Sequence, residues 1–198
     1  FDLREPLRER IADGMPVSPL WTMRDALALR GRITAGVRVL VIGGGVLGVE
    51  AALRAAEAGA RPVIVERLPR LLGTVLGATA AAALLEQTAA AGVEVRCGRS
   101  VLMFRREASG AVTALLDDGA KVEADWVICS IGAAPNRTLP QASGIETDRG
   151  VLVDENLQTP WAGVFAAGDL AQRRGARIRC SARDAALREA VQRVDGRP

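Results

Sequence analysis

A glycine-rich run between an apolar segment and a helical segment constrains this sequence more than any other feature. Residues 37–42 are apolar and rich in β-branched side chains, which is typical of a buried parallel strand. Gly43, Gly45 and Gly48 follow with the spacing G-x-G-x-x-G, and residues 46–58 then have a helical, alanine-rich pattern. A strand, a glycine turn and a helix in this order predict the first unit of a doubly wound α/β fold.

Each glycine in such a turn has its own physical role. Gly43 permits the tight turn out of the strand, Gly45 lets a pyrophosphate approach the backbone, and Gly48 lets the helix pack closely against the strand. The first helical residues, Val46 and Leu47, would present free N–H groups and the positive end of the helix dipole to that anion. We therefore expect the ADP part of a dinucleotide to bind at this turn.

An acidic residue indicates which dinucleotide is preferred. Glu66 ends a second predicted strand, 62–66, and lies 18 positions after Gly48. This is near the separation of about 20 at which a carboxylate accepts hydrogen bonds from the adenosine ribose. A carboxylate there repels a 2′-phosphate, which favours NAD(H) over NADP(H). Arg67 and Arg70 could instead bind a 2′-phosphate, so NADP(H) is the less favoured alternative. A second alternative is that the glycine turn binds no ligand.

The pattern of the whole chain predicts a parallel sheet with an antiparallel addition. Residues 1–36 are expected to be irregular apart from a short helix at 22–29 that Thr22 caps. The elements predicted beyond residue 66 are a helix at 77–91, a strand at 93–97, alternating strands at 100–107 and 111–116, a segment at 121–131 containing a buried strand at 126–131, strands at 151–153 and 163–167, and a helix at 182–194. The predicted class is α/β, with a Rossmann-like three-layer parallel sheet and an added antiparallel β meander.

Two acidic residues have roles that the sequence leaves open. Glu50 is either a carboxylate in the first turn of its helix, where the helix dipole favours it, or a group near the nicotinamide. Asp169 follows Gly168 at the carboxyl end of an apolar strand, where ligands bind in open α/β sheets. It either accepts hydrogen bonds from a polyol or caps a helix.

The residue types that are missing exclude several classes of enzyme. The 198 residues include no His and no Tyr, and Lys121 is the single lysine, so a Ser-His-Asp triad, a Tyr–Lys pair and a histidine metal ligand are excluded. Cys97, Cys129 and Cys180 form no close pair, which predicts no metal site and indicates thiols in a reducing, cytoplasmic compartment. No catalytic side chain is assigned, and a cofactor is expected to carry any reaction.

Charge and hydropathy argue against two kinds of partner. The net charge is +3, and the arginines are scattered without interleaved aromatic residues, so no nucleic-acid partner is expected. No stretch of about 18 apolar residues occurs, so no membrane partner is expected either. The oligomeric state is left open by the sequence.

The glycine turn and two later motifs together resemble a known family. Val-Ile-Gly-Gly-Gly-Val-Leu-Gly-Val-Glu at 41–50, Ile-Gly-Ala-Ala-Pro-Asn at 131–136, and Thr159 with Phe-Ala-Ala-Gly-Asp at 165–169 occur in this order. They resemble the FAD-dependent pyridine nucleotide-disulfide oxidoreductases, which are flavoproteins with two dinucleotide-binding domains. Within that family the chain is most similar to ferredoxin and rubredoxin reductases and to the flavin part of the NAD(P)H nitrite reductase large subunit.

This resemblance implies an NAD domain inserted within an FAD domain. The implied parts are a flanking FAD-domain segment (1–36), the NAD(P)-binding domain (37–130) and a returning, truncated FAD-domain segment (131–198). Gly132 would lie beside the nicotinamide, while Gly168 and Asp169 would meet the pyrophosphate and ribityl chain of FAD. Hydride would pass from NADH to the flavin, and electrons would continue to an acceptor protein or domain.

The chain also departs from the family pattern. Family members open with another glycine fingerprint for FAD and end with an interface domain, and this sequence, which starts at Phe1, has neither. We therefore expect a piece of a longer protein that is inactive by itself. A non-catalytic NAD(H)-binding redox-sensing module and a flavin-independent NAD dehydrogenase are the two alternatives.

Overall fold

A five-stranded parallel sheet forms the centre of the larger of two units. The computed structural model describes residues 14–132, 134–173 and 176–177, and the chain divides into compact units at 2–133 and 134–198. The strands of the parallel sheet are β1 (Val17–Pro19), β2 (Arg38–Ile42), β3 (Arg61–Glu66), β4 (Glu94–Cys97) and β8 (Trp126–Cys129). They lie in the order β1-β8-β2-β3-β4, and each neighbouring pair is parallel. The three-part division at residues 36 and 130 stays a prediction.

Three helices cover one face of this sheet. They are α1 (Met23–Arg30), α2 (Val46–Glu57) and α3 (Ala78–Ala90). Val39 and Val41 of β2 point to this face and share a core with Ala52 and Ala55 of α2. Small alanine side chains let the helix approach the sheet closely, which explains the high alanine content of α2.

An antiparallel meander covers the opposite face. Its strands are β5 (Val101–Arg106), β6 (Val112–Leu116) and β7 (Lys121–Ala124), in the order β5-β6-β7. Leu40 and Ile42, the alternate residues of β2, pack in one core with Val112 and Leu116 of β6. The predicted three-layer α/β class is therefore confirmed, and the meander itself forms the third layer.

The smaller unit contains a three-stranded mixed sheet. Its elements among the described residues are α4 (Thr138–Ala142), β9 (Val151–Val153), a 3-10 turn (Gly168–Leu170), β10 (Ala171–Arg173) and β11 (Ala176–Arg177). β10 pairs in parallel with β9 and antiparallel with β11. Val151, Leu157 and Ala171 belong to its core. Among the described residues, no helix has the length and apolar character needed to cross a membrane.

Two predicted features differ from the structure, and a third lies outside it. β1 falls in a segment that was expected to be irregular, whereas the short helix capped by Thr22 is confirmed. The strand expected at 163–167 is wrong: Phe165 forms an isolated bridge with Gln158, because Gly163 has φ +75° and reverses the chain just before it. The helix predicted at 182–194 lies outside the described residues.

Candidate functional site

A crevice of about 590 Å³ opens at the carboxyl ends of the parallel strands. Residues that follow β2, β3, β4 and β8 line it together: Gly43, Gly44, Gly45, Arg67, Leu68, Arg99, Ser100, Ser130, Ile131 and Gly132. From β2 the chain runs outward through α2 to β3 on one side, and β8 occupies the other side. The crevice thus lies at the point where the strand order reverses, the usual ligand site of open α/β sheets.

The turn out of β2 is so tightly packed that only glycine fits at two of its positions. Gly43 has φ +104°, and a Cβ on it would lie 2.2 Å from the carbonyl oxygen of Ser130. A Cβ on Gly48 would lie 1.9 Å from the carbonyl oxygen of Gly43. Gly43 therefore fits against the end of β8, and Gly48 fits α2 against the turn.

Gly45 differs from those two glycines because it faces open space. A Cβ on Gly45 would meet nothing within 4 Å, and the residue lies on the wall of the crevice. Gly45 is also the N-cap of α2, where no side chain caps the helix. Val46 and Leu47, which begin α2, are exposed. An uncapped helix N-terminus beside an open glycine backbone is a favourable environment for an anion.

Glu66, at the end of β3, turns its carboxylate toward the glycine turn. Its Oε2 accepts a hydrogen bond from the Gly44 N–H at 2.5 Å, and its Oε1 accepts one from the Leu68 N–H at 2.6 Å. The side chain is half-buried at the wall of the crevice. A carboxylate that accepts two charge-assisted hydrogen bonds is held in a defined orientation.

Basic side chains lie on the wall next to Glu66. Arg67 is exposed on the crevice, and Arg99 forms an ion pair with Asp118 at 2.5 Å. The N–H of Ala120, followed by the Arg99 guanidinium, holds the pKa of Asp118 below its usual value. The crevice therefore carries one carboxylate and at least one guanidinium near the end of β3.

Cys97, at the end of β4, is a free thiol close to this wall. Burial, and then the nearby Glu66 carboxylate, raises the pKa of the Cys97 thiol. The thiol therefore stays protonated near neutral pH and is a poor nucleophile. Of the other two cysteines, Cys129 is buried, and Cys180 lies outside the described residues.

The structure brings together only part of the predicted site. Gly43, Gly45, Glu66, Arg67 and Gly132 all line the crevice, and Gly132 has φ +93°. The remaining predicted residues of this unit are not among the lining residues. Val46, Leu47 and Gly48 begin α2 directly after Gly45, Glu50 lies further along α2, and Arg70 lies beyond the end of β3.

For Glu50 and for Asp169, the structure contradicts one of the two roles that the sequence left open. Glu50 is the fifth residue of α2, whose first turn contains no acid, so the first-turn interpretation is wrong. Glu50 lines a separate, mainly apolar groove of about 990 Å³ between α1 and α2. Asp169, in the smaller unit, is exposed within a 3-10 turn whose N-cap is Ala167, so the capping interpretation is wrong. Gly168 precedes it with φ +71°.

Several residues that line the crevice were not predicted from the sequence. Gly44 was treated as the variable position of the glycine motif, yet its N–H is a partner of Glu66. Arg99 and Ser100 follow β4, and Ser130 follows β8. The rule that strand ends meet at one edge of a parallel sheet would have found these last three residues.

The family assignment follows from direct comparison. The family model described as pyridine nucleotide-disulphide oxidoreductase matches residues 16–185, so the chain belongs to this family. The resemblance drawn from the motifs is thereby confirmed. The match covers most of the sequence, including the glycine turn, the meander and the smaller sheet.

Relatives within the family are redoxin reductases. Putidaredoxin reductase CamA from Pseudomonas putida is 35% identical over 155 residues, which cover 77% of this chain and 37% of that protein. Rubredoxin-NAD(+) reductase from Ectopseudomonas oleovorans is 30% identical over 155 residues, covering 78% and 40%. The crystal structure of the covalent putidaredoxin reductase–putidaredoxin complex matches with a TM-score of 0.82 at 30% identity, covering 92% of this chain and 46% of that one. The chain spans at most 40% of the length of these two curated relatives.

Proposed function

We propose that this chain is the NAD(H)-binding part of a flavin-dependent NAD(P)H oxidoreductase that passes hydride from NADH to FAD and electrons on to an acceptor. The observation that carries the proposal is the combination of the open Gly45 backbone, the uncapped start of α2 and the Glu66 carboxylate in one crevice. Diphosphate needs backbone N–H donors, and an adenosine ribose needs a hydrogen-bond acceptor. The crevice offers both at the ends of neighbouring strands.

The residues of the crevice fit a dinucleotide in an extended arrangement. We propose that the N–H groups at Gly45, Val46 and Leu47 bind the diphosphate and that Glu66 receives the ribose hydroxyls. Gly132, across the crevice at the end of β8, would then lie beside the nicotinamide. When bound, NADH supplies a hydride and FAD accepts it; the part of this chain is to bind, orient and shield the nucleotide.

A carboxylate at the ribose position also favours one nucleotide over the other. Glu66 would repel the 2′-phosphate of NADP(H), whereas the exposed Arg67 would attract it. The carboxylate is fixed by two backbone hydrogen bonds, while the guanidinium of Arg67 is exposed to solvent. We therefore propose NAD(H) as the preferred cofactor.

We propose that FAD and the electron acceptor interact with the whole oxidoreductase of which this chain is the NAD(H)-binding part. We propose that Gly168 and Asp169, with an exposed carboxylate and a positive-φ glycine, face the FAD of that protein. The names of the relatives support a small redox protein of the ferredoxin or rubredoxin type as acceptor. An acceptor of the nitrite reductase type is the alternative. A cytoplasmic location is proposed because the three cysteines form no close pair in the sequence.

Calorimetric titration of the 198-residue chain with NADH and with NADPH tests the proposal. We expect NADH to bind more tightly, and Glu66→Ala to weaken NADH more than NADPH because the variant also removes the repulsion of the 2′-phosphate. Glu86→Ala, which removes an exposed carboxylate of α3, is the matched control. If the wild-type chain binds neither nucleotide, the proposed function is wrong.

A further inference from the structure

The Glu66 carboxylate already has backbone partners without any nucleotide. Each of its oxygens accepts one N–H, from Gly44 and from Leu68. A carboxylate has about four acceptor positions, so both oxygens keep capacity for ribose hydroxyls. The bond from Gly44 connects the end of β3 to the middle of the glycine turn, 22 positions earlier in the chain, and the bond from Leu68 holds the carboxylate to the segment directly after β3.

Gly44 is held on its other side as well. Its carbonyl oxygen accepts the Leu72 N–H at 2.8 Å, so both backbone groups of Gly44 are used. A Cβ on Gly44 would lie 2.7 Å from Cδ2 of Leu71 and 3.0 Å from Cβ of Glu66. The residue between Gly43 and Gly45 is therefore packed and hydrogen-bonded against the segment that follows β3.

We infer that Glu66 is a positioning residue, which holds the turn at Gly43, Gly44 and Gly45 in the conformation that receives the diphosphate, in addition to any contact with the ribose. The inference rests on the proposed function, since it concerns how the same nucleotide is bound. Gln at this position has one acceptor oxygen and an NH₂ group, and that group would meet an N–H donor at Gly44 or Leu68. The variant Glu66→Gln therefore loses at least one of the two bonds.

A nucleotide without ribose hydroxyls separates the two roles of Glu66. 2′,3′-Dideoxy-ADP keeps the diphosphate and offers no hydroxyl to the carboxylate. If Glu66 positions the turn, Glu66→Gln binds 2′,3′-dideoxy-ADP about tenfold more weakly than the wild type, as expected for the loss of a charge-assisted hydrogen bond. Glu86→Gln, the matched control on α3, keeps wild-type affinity. Titrations of the 198-residue chain by NMR or calorimetry measure both, and far-UV circular dichroism checks that the variants are folded.

Amide hydrogen exchange on the nucleotide-free wild type tests the inference without a variant. The Gly44 and Leu68 amides are expected to be protected, and Glu66→Gln is expected to speed the exchange of at least one of them. Unprotected Gly44 and Leu68 amides in the wild type would overturn the inference. So would equal binding of 2′,3′-dideoxy-ADP by the wild type and Glu66→Gln while ADP binding differs, and the proposed function would then stand. A wild type that binds neither ADP nor 2′,3′-dideoxy-ADP overturns both.

Discussion

Alanine substitutions at Gly48 and Gly45 should separate packing from nucleotide binding within one turn. A Cβ on Gly48 would lie 1.9 Å from the Gly43 carbonyl oxygen. Real Cβ contacts are essentially never shorter than 3.0 Å, so α2 and the turn would have to separate by about 1.1 Å. Both atoms belong to backbone or lie next to it, so no rotamer change relieves the contact. We expect Gly48→Ala to lower the free energy of unfolding by about 3 kcal/mol, the upper end of the cost of overpacking.

Gly45→Ala is expected to lower stability only slightly and to weaken NADH binding strongly. No atom lies within 4 Å of the added Cβ, and φ is −77°, so the folded backbone accepts alanine. The loss of a glycine N-cap should cost about 1 kcal/mol. The methyl group, however, projects into the crevice where the diphosphate is proposed to lie, and NADH binding should fall at least about tenfold.

Gly77→Ala provides the matched control for Gly45→Ala. Gly77 is the N-cap of α3, with φ −67° and no atom near its Cβ position, but it does not line the crevice. Thermal unfolding should therefore show similar small decreases for Gly45→Ala and Gly77→Ala and a fall of about 10 °C for Gly48→Ala. Calorimetry should show a loss of NADH affinity for Gly45→Ala but not for Gly77→Ala. A stable Gly48→Ala chain, or equal NADH binding by the two N-cap variants, would refute this reasoning.

Three further substitutions test other contacts. Thr22→Ala removes the cap that accepts the Asp25 N–H of α1 and should lower the free energy of unfolding by about 1 kcal/mol in urea titrations. Asp125→Asn weakens the hydrogen bonds from Arg38 and should cost about 1 kcal/mol at neutral pH, allowing for solvent screening. The Arg38 guanidinium lowers the pKa of Asp125, so this contribution is complete above the ordinary value of 3.8 and is lost as pH falls through the lower folded-state pKa. Arg67→Ala should weaken NADPH binding about tenfold and leave NADH binding nearly unchanged in calorimetric titrations.

Each of these three substitutions also has an outcome that contradicts it. An unchanged urea midpoint for Thr22→Ala would show that the cap adds nothing to stability. A stability difference for Asp125→Asn that persists undiminished in strong acid would place its origin elsewhere than in the charged pair with Arg38. Equal losses of NADH and NADPH affinity for Arg67→Ala would show that the guanidinium does not recognise the 2′-phosphate.

Local patterns were sufficient to predict the elements that carry the site. The buried run of β2, the glycine turn and the alanine-rich α2 are neighbours in sequence, and their order alone determined the βα unit. The alternation at 100–107 and 111–116 predicted the antiparallel pairing of β5 with β6 for the same reason. Where a contact joins residues close in the chain, the periodicity of the sequence identifies it.

Contacts between distant segments could not be predicted in this way. β1 has three residues, follows Pro16 and ends with Pro19, and it is a strand because Val17 pairs with Val127, far along the chain. The bond from Gly44 to Glu66 joins residues 22 positions apart, and no local pattern specifies it. The apolar stretch near Phe165 looked like a strand, but the reversal at Gly163 leaves it a single bridge.

The position of β1 also determines how the central sheet ends. This strand is the edge of the sheet next to β8. Pro16, which precedes it, and Pro19, its last residue, have no amide hydrogen to donate. The Val17 N–H already bonds to the carbonyl oxygen of Met15. An incoming strand would thus find few donors on this side, so growth of the sheet by strand addition, a common start of aggregation, is opposed at this edge.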